Sequence, residues 1–156
     1  YEGYAGHYIK YAMRNAMDIA TLGCSVNVKL SEDKQTFTDI RIAYGVAGPV
    51  PMRAVHAEEA GRGLPVSEES IEVIGDAVLE DVSPRDSWRA SKAFREHISK
   101  VLCKRALREA VVRADGSVSD AAVERGHGPV SAIAEAGYEA AQTASKAAQQ
   151  GKEASS

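Results

Sequence analysis

Between residues 21 and 30 the chain reads T-L-G-C-S-V-N-V-K-L. Leu22, Cys24, Val26, Val28 and Leu30 alternate with Thr21, Gly23, Ser25, Asn27 and Lys29. A period of two marks a strand with one face buried. The polar run Ser31-Glu32-Asp33-Lys34-Gln35 has turn chemistry. Alternation then resumes, with Ile40, Ile42, Tyr44 and Val46 set against Asp39, Arg41, Ala43 and Gly45. Two such runs around a short polar loop predict an antiparallel hairpin. Residues 7–12, H-Y-I-K-Y-A, predict a third strand. Gly48-Pro49-Val50-Pro51 ends the strand region, because proline brings no ladder donor.

Helical periodicity follows. A short helix is expected over 54–60, stopped near Gly61 and Gly63. Ser67 is placed to cap a second helix reaching Val82, with Glu68 and Glu69 at the positive end of its dipole. Ile71, Ile74, Val78 and Val82 share one face of it. A longer helix should start at Trp88 or Ser91 and end at Arg113, before Asp115-Gly116. Its apolar stripe is Phe94, Ile98, Val101 and Leu102, extended by Ala106, Leu107, Ala110 and Val111. Lys92, Arg95, Lys100, Lys104 and Arg108 are assigned to its wet side.

From residue 117 large apolar side chains almost vanish. Residues 116–156 are read as an Ala/Ser/Gln-rich tail, a frayed helix or a disordered segment, since an unanchored helix is marginal in water. Strands first and helices after give an α+β class: a sheet of about three antiparallel strands with three helices packed on it, a two-layer sandwich over residues 1–115.

Composition narrows the function classes. The chain has 156 residues, 44% apolar and 26% charged, with a formal charge of -3. That suits one globular domain, and mixed charge does not favour nucleic acid. No run of about 20 apolar residues exists for a membrane span. The opening Tyr1-Glu2-Gly3-Tyr4 reads as no secretory signal, and a first residue other than Met suggests a piece of a longer chain. Cys24 and Cys103 both sit at apolar positions, which fits buried thiols in a reducing cytoplasm.

The residues alone name no reaction. His7, His56, His97 and His127 are not spaced as metal ligands, and the two cysteines form no zinc pair. No catalytic residue is singled out. Gly45-Val46-Ala47-Gly48 follows a strand but leads into prolines rather than a helix, so a tight turn explains it better than a phosphate cradle. Lys10, Arg14 and Asp18 are each four apart. In a helix they would stack on one face; in a turn between strands they would meet equally well. An ordinary surface ion pair satisfies the same spacing.

Three stretches together resemble a known family. Tyr8-Ile9-Lys10-Tyr11-Ala12-Met13-Arg14-Asn15-Ala16-Met17-Asp18-Ile19-Ala20 resembles the opening of the C-terminal domain of molybdenum hydroxylase flavoprotein subunits. Gly45-Val46-Ala47-Gly48-Pro49-Val50-Pro51-Met52-Arg53-Ala54 is similar to that family's glycine–proline turn. Pro84-Arg85-Asp86-Ser87-Trp88-Arg89-Ala90-Ser91-Lys92-Ala93-Phe94-Arg95 resembles its Arg-Ala-Ser-x-x-Tyr-Arg motif. The wording is closest to bacterial xanthine dehydrogenase FAD-binding subunits.

The resemblance implies an FAD-dependent oxidoreductase in which this piece is inactive alone. Its partners would be the N-terminal FAD-binding part of the same subunit, an iron–sulfur subunit and a molybdopterin subunit. Iron–sulfur clusters and molybdopterin would reside in those partners, and electrons would pass through FAD to NAD or another acceptor. Lys10, Arg14 and Asp18 would be the FAD-proximal residues. Two positions depart from the pattern. The family's Tyr is Phe94 here, and a Lys found near the flavin in eukaryotic-type relatives is Thr21. A different class of function, an independent α+β interaction or dimerisation module without a redox role, fits the same periodicities.

Overall fold

The computed structural model describes residues 2–118. Four strands, β1 (Ala5–Tyr11), β2 (Leu22–Leu30), β3 (Phe37–Gly45) and β4 (Met52–Arg53), form one sheet in chain order. Every neighbouring pair is antiparallel. Three helices follow: α1 (Val55–Gly61), α2 (Glu68–Ala77) and α3 (Lys92–Arg113). The α+β class and the expected strand–helix order are both observed, with β4 as an added strand. Of the tail expected over 116–156, residues 119–156 lie outside the described residues.

The alternating residues explain the layers. Val26 faces Ile42 and Val28 faces Ile40 across the β2–β3 ladder, and all four are fully buried. Fully burying each such side chain is worth about 1.5–3 kcal/mol. Their neighbours Ser25, Asn27, Lys29 and Arg41 are half-exposed on the other face. The helices therefore cover one face only. Ile71 and Ile74 of α2, with Leu102 and Leu107 of α3, close the core over the buried rows. Cys24 and Cys103 are free thiols inside this layer. Burial pushes the Cys24 thiol up to about 12, against a hydrogen bond with Tyr44 that lowers it. Such thiols are poor nucleophiles.

Ser67 caps α2 as expected, its hydroxyl accepting from the Ser70 amide at 3.2 Å. The predicted single helix to Val82 is broken, however. The α-helix stops at Ala77, and one 3-10 turn follows over Val78–Glu80. The tighter turn brings the Asp81 carboxylate to the start of α1, where it accepts from the His56 and Ala57 amides at 3.1 Å each. Val78 and Val82 stay buried, so the apolar face was read correctly.

Of the two expected starts it is Ser91 that holds: Ser91 is the N-cap and the long helix begins at Lys92. Two side chains fix that start: Ser91 accepts from the Phe94 amide at 3.2 Å, and Asp86 accepts from the Lys92 amide at 2.7 Å. Its end matches the Asp115-Gly116 signal. Asp115 has φ 57°, and the Gly116 amide returns to the Val111 carbonyl at 3.0 Å. The wet side needs correction. Arg95 is only 3% exposed. Lys104 leans onto α2, donating to Glu72 at 2.6 Å and Asp76 at 3.3 Å, and Arg108 pairs with Glu68. These cations staple α3 to α2 instead of extending into water.

Candidate functional site at the β1–β2 loop

The three charged residues singled out by spacing do meet, but not in a helix. Lys10 is the penultimate residue of β1, and residues 12–21 form the loop to β2. The Lys10 ammonium donates to the Asp18 carbonyl at 2.6 Å. The Asp18 carboxylate accepts from the Arg14 amide at 3.0 Å and the Ile19 amide at 2.9 Å. The Arg14 guanidinium donates to the Met17 carbonyl at 3.1 Å and stands 4.0 Å from Asp18. The expected ion pair is thus the weakest contact of the group. Asp18 acts mainly as an acceptor for loop amides, the role short acidic side chains take in turns.

This arrangement leaves cations outward. The Arg14 side chain is 71% exposed and that of Asp18 only 15%. Lys10 is exposed as well. The loop therefore presents positive charge on a braced backbone, with Met17 held at φ 51°. Behind it the Thr21 amide donates to the Tyr11 carbonyl at 2.8 Å. Thr21, placed among the polar positions by alternation, is fully buried, and its hydroxyl has no hydrogen-bond partner.

Other loops gather at the same end. Tyr11 meets Phe94 of α3 with ring centroids 5.9 Å apart. The Ser83 amide donates to the Ala47 carbonyl at 2.9 Å, joining the 83–91 loop to the β3–β4 turn. That turn contains the 45–48 glycine segment and bends through Val46 at φ 69°. It leads into β4, not into a helix N-terminus, so it offers no phosphate cradle. Among the described residues no group of three His, Cys, Asp or Glu could hold a metal ion, and no helix is long and apolar enough to cross a membrane.

Two polar clusters escaped the sequence reading. Glu58 of α1 is 2% exposed and accepts from the Ile42 amide at 2.9 Å. The same carboxylate takes both arms of the Arg53 guanidinium. Arg53 stood in the second motif, but nothing near Glu58 signalled its burial. On the open face of the sheet, Asp39 accepts from Tyr4, from Arg41 at 3.2 Å and from Arg62 at 3.0 Å. Partial burial pushes the Asp39 carboxyl up, but hydrogen bonds from Tyr4, Arg62 and Arg41 outweigh it and bring the pKa down to about 2.

That shift sets an acid response. A depressed folded pKa adds stability above the unfolded value near 3.9, and the gain disappears as pH falls through about 2. Asp39→Asn should cost about 1–2 kcal/mol at pH 6 and almost nothing near pH 2. Urea titrations of both proteins at the two pH values measure this. An equal gap at both would contradict it.

The fold has known relatives. Residues 7–110 match the CO dehydrogenase flavoprotein C-terminal domain. The chain is 45% identical over 111 residues to the xanthine dehydrogenase FAD-binding subunit of Escherichia coli O157:H7, covering 71% of this chain and 37% of that protein. It is 29% identical over 108 residues to the glyceraldehyde dehydrogenase medium chain of Sulfolobus acidocaldarius, covering 69% and 37%. The chain thus spans 37% of the length of the curated relatives it matches. Among solved structures, the carbon monoxide dehydrogenase of Hydrogenophaga pseudoflava superposes with a TM-score of 0.66 at 29% identity, over 72% of this chain and 38% of that one. With the strand order, the braced loop and all three motifs inside or beside the matched span, the chain belongs to the family of CO dehydrogenase flavoprotein C-terminal domains.

Proposed function

We propose that this domain closes the flavin-holding part of a xanthine dehydrogenase-like flavoprotein subunit, with Lys10, Arg14 and Asp18 on the side toward FAD. The observation that carries the reading is the loop braced around Asp18, which sets two exposed cations on a fixed backbone. The similarity to an FAD-binding subunit supports it. The residues fit flavin as one wall and not as a cradle, because cations are present and, among the described residues, no glycine-rich turn opens a helix. Bound FAD would supply the redox chemistry between iron–sulfur centres and NAD or another acceptor. Lys10 and Arg14 would offer positive charge to its anionic groups, while Asp18 would keep the loop in shape. The remaining partners in this reading are an iron–sulfur subunit and a molybdopterin subunit, and the assembly is cytoplasmic.

Lys10→Ala and Arg14→Ala, made in the full subunit, should each weaken flavin retention about tenfold, the worth of one charge-assisted hydrogen bond. Flavin released on dilution, followed by its fluorescence, gives the number. Unchanged retention and unchanged flavin potential in both variants would remove these residues from the site.

A further inference from the structure

Trp88 is 86% exposed, yet the loop that carries it is tightly held. The buried Arg95 guanidinium donates to the Arg85 carbonyl and, at 2.8 Å, to the Ser87 hydroxyl. The Ser87 amide closes the turn onto the Ala90 carbonyl at 3.0 Å, and Asp86 is engaged by the Lys92 amide at 2.7 Å. Arg89 lies over the Trp88 ring, 4.4 Å from its centroid. Burying Arg95 is costly, since among the described residues it forms no salt bridge and its Nε is unsatisfied. What its guanidinium does hold is the 85–87 loop.

An exposed indole on a mobile loop would need no explanation, but one on a braced loop is a preorganised contact. Trp and Arg are the side chains most enriched among residues that dominate binding energy. Rigidity also spares the ordering cost of association. The loop is cationic, carrying Arg85 and Arg89, and its one carboxylate, Asp86, is already used as a helix cap. A partner surface with an apolar pocket and acidic or carbonyl groups at its rim complements it. The loop shares an end of the sheet with the Lys10–Asp18 loop, as the Tyr11–Phe94 contact shows. Met13, Met17 and Ile19 of that neighbouring loop are 65%, 96% and 64% exposed, so apolar surface is concentrated there.

We propose that the Trp88–Arg89 pair is a preformed anchor that docks this domain onto the flavin-holding part of its own subunit. The inference rests on the function proposed above. What selects that occupant is length: the relatives carry most of their chain outside the span matched here, within the same polypeptide. The Trp88 loop leads into the first turn of α3, whose Phe94 packs on Tyr11 where the Lys10–Asp18 loop opens, so the anchor lies on the side assigned to flavin above.

Trp88 is the single tryptophan of the chain, which makes the test direct. The full chain is labelled with fluorotryptophan and mixed with the FAD-loaded remainder of the Escherichia coli xanthine dehydrogenase FAD-binding subunit. Fluorine NMR then reports on Trp88 alone. The expected result is one solvent-exposed resonance that shifts and loses its solvent isotope effect on mixing. Trp88→Ala, with an unchanged circular dichroism spectrum, should weaken association about tenfold or more by calorimetry. If the two pieces associate while the resonance stays exposed, the anchor is wrong and the flavin reading survives. If they do not associate at all, both fall. A resonance already shielded in the chain alone overturns the anchor too: at every concentration it assigns the indole to this same chain, and only at high concentration to a second copy.

Discussion

Glu58→Ala is expected to destabilise the domain by about 3 kcal/mol, among the largest single losses from a polar side chain. The carboxylate is 2% exposed and satisfies the Ile42 amide where β4 has already ended. Beyond Arg53 the chain turns into α1, so the next donor on the edge of β3 would face no strand. The Ala54 amide pairs with the Ile42 carbonyl at 2.9 Å, and Glu58 takes the matching amide. Removing it orphans a buried N–H, at about 1–3 kcal/mol. It also strips Arg53 of its partner. Arg53 is 50% exposed, so water recovers most of that second loss. Glu58→Gln keeps one acceptor for the amide and should cost only about 1 kcal/mol. Urea unfolding of the three proteins measures the order. Equal losses for Ala and Gln would mean that charge, not acceptor geometry, holds α1 to the sheet.

The same corner shows why parts of the fold were legible and parts were not. The β2–β3 hairpin was readable because its inward residues repeat every second position and are large. The strand β4 was not, because a strand of two residues just after Pro51 leaves no period to detect. It pairs with Ala43 and Tyr44 of β3, and Glu58 holds its Arg53, contacts that local pattern does not encode. Arg95 was misplaced for a related reason. The apolar stripe of α3 is legible, alanines included, but its buried seam also contains Ser99, which is polar and carries no hydrophobic signal. Arg95 lies on that seam, and its two terminal nitrogens donate to groups ten and eight residues upstream, in a loop.

The candidate site shows the opposite balance. The trio at positions 10, 14 and 18 was found by charge spacing and motif wording, and the structure does bring it together. Spacing did not reveal the chemistry of the contacts. Lys10 reaches a carbonyl and not a carboxylate, and Asp18 serves loop amides. Charge periodicity marks residues that are near one another. It does not say which atoms meet, because a lysine four residues before an arginine can end a strand as easily as it can ride a helix.

Gly61→Val should cost about 3 kcal/mol, and Gly61→Ala only about 1 kcal/mol, by two opposing effects. Gly61 ends α1 with no exposed surface to spare, against Ile40 of β3 and Ile74 of α2. A Cβ there would stand 2.5 Å from the Ile40 Cδ1 and 2.7 and 2.8 Å from two Ile74 carbons. Both isoleucines are fully buried, so neither can swing into water to make room. Overpacking of this kind costs about 1–3 kcal/mol, occasionally more. Alanine recovers about 1 kcal/mol through its better helix propensity, whereas valine is β-branched, recovers less and brings two further carbons. The sequence reading used Gly61 only as a helix stop. Its packing role predicts a steep rise in cost with side-chain size, and thermal or urea unfolding of the pair measures it. A valine variant as stable as the alanine one would show that the helix–sheet contact yields, and that Gly61 serves backbone termination alone.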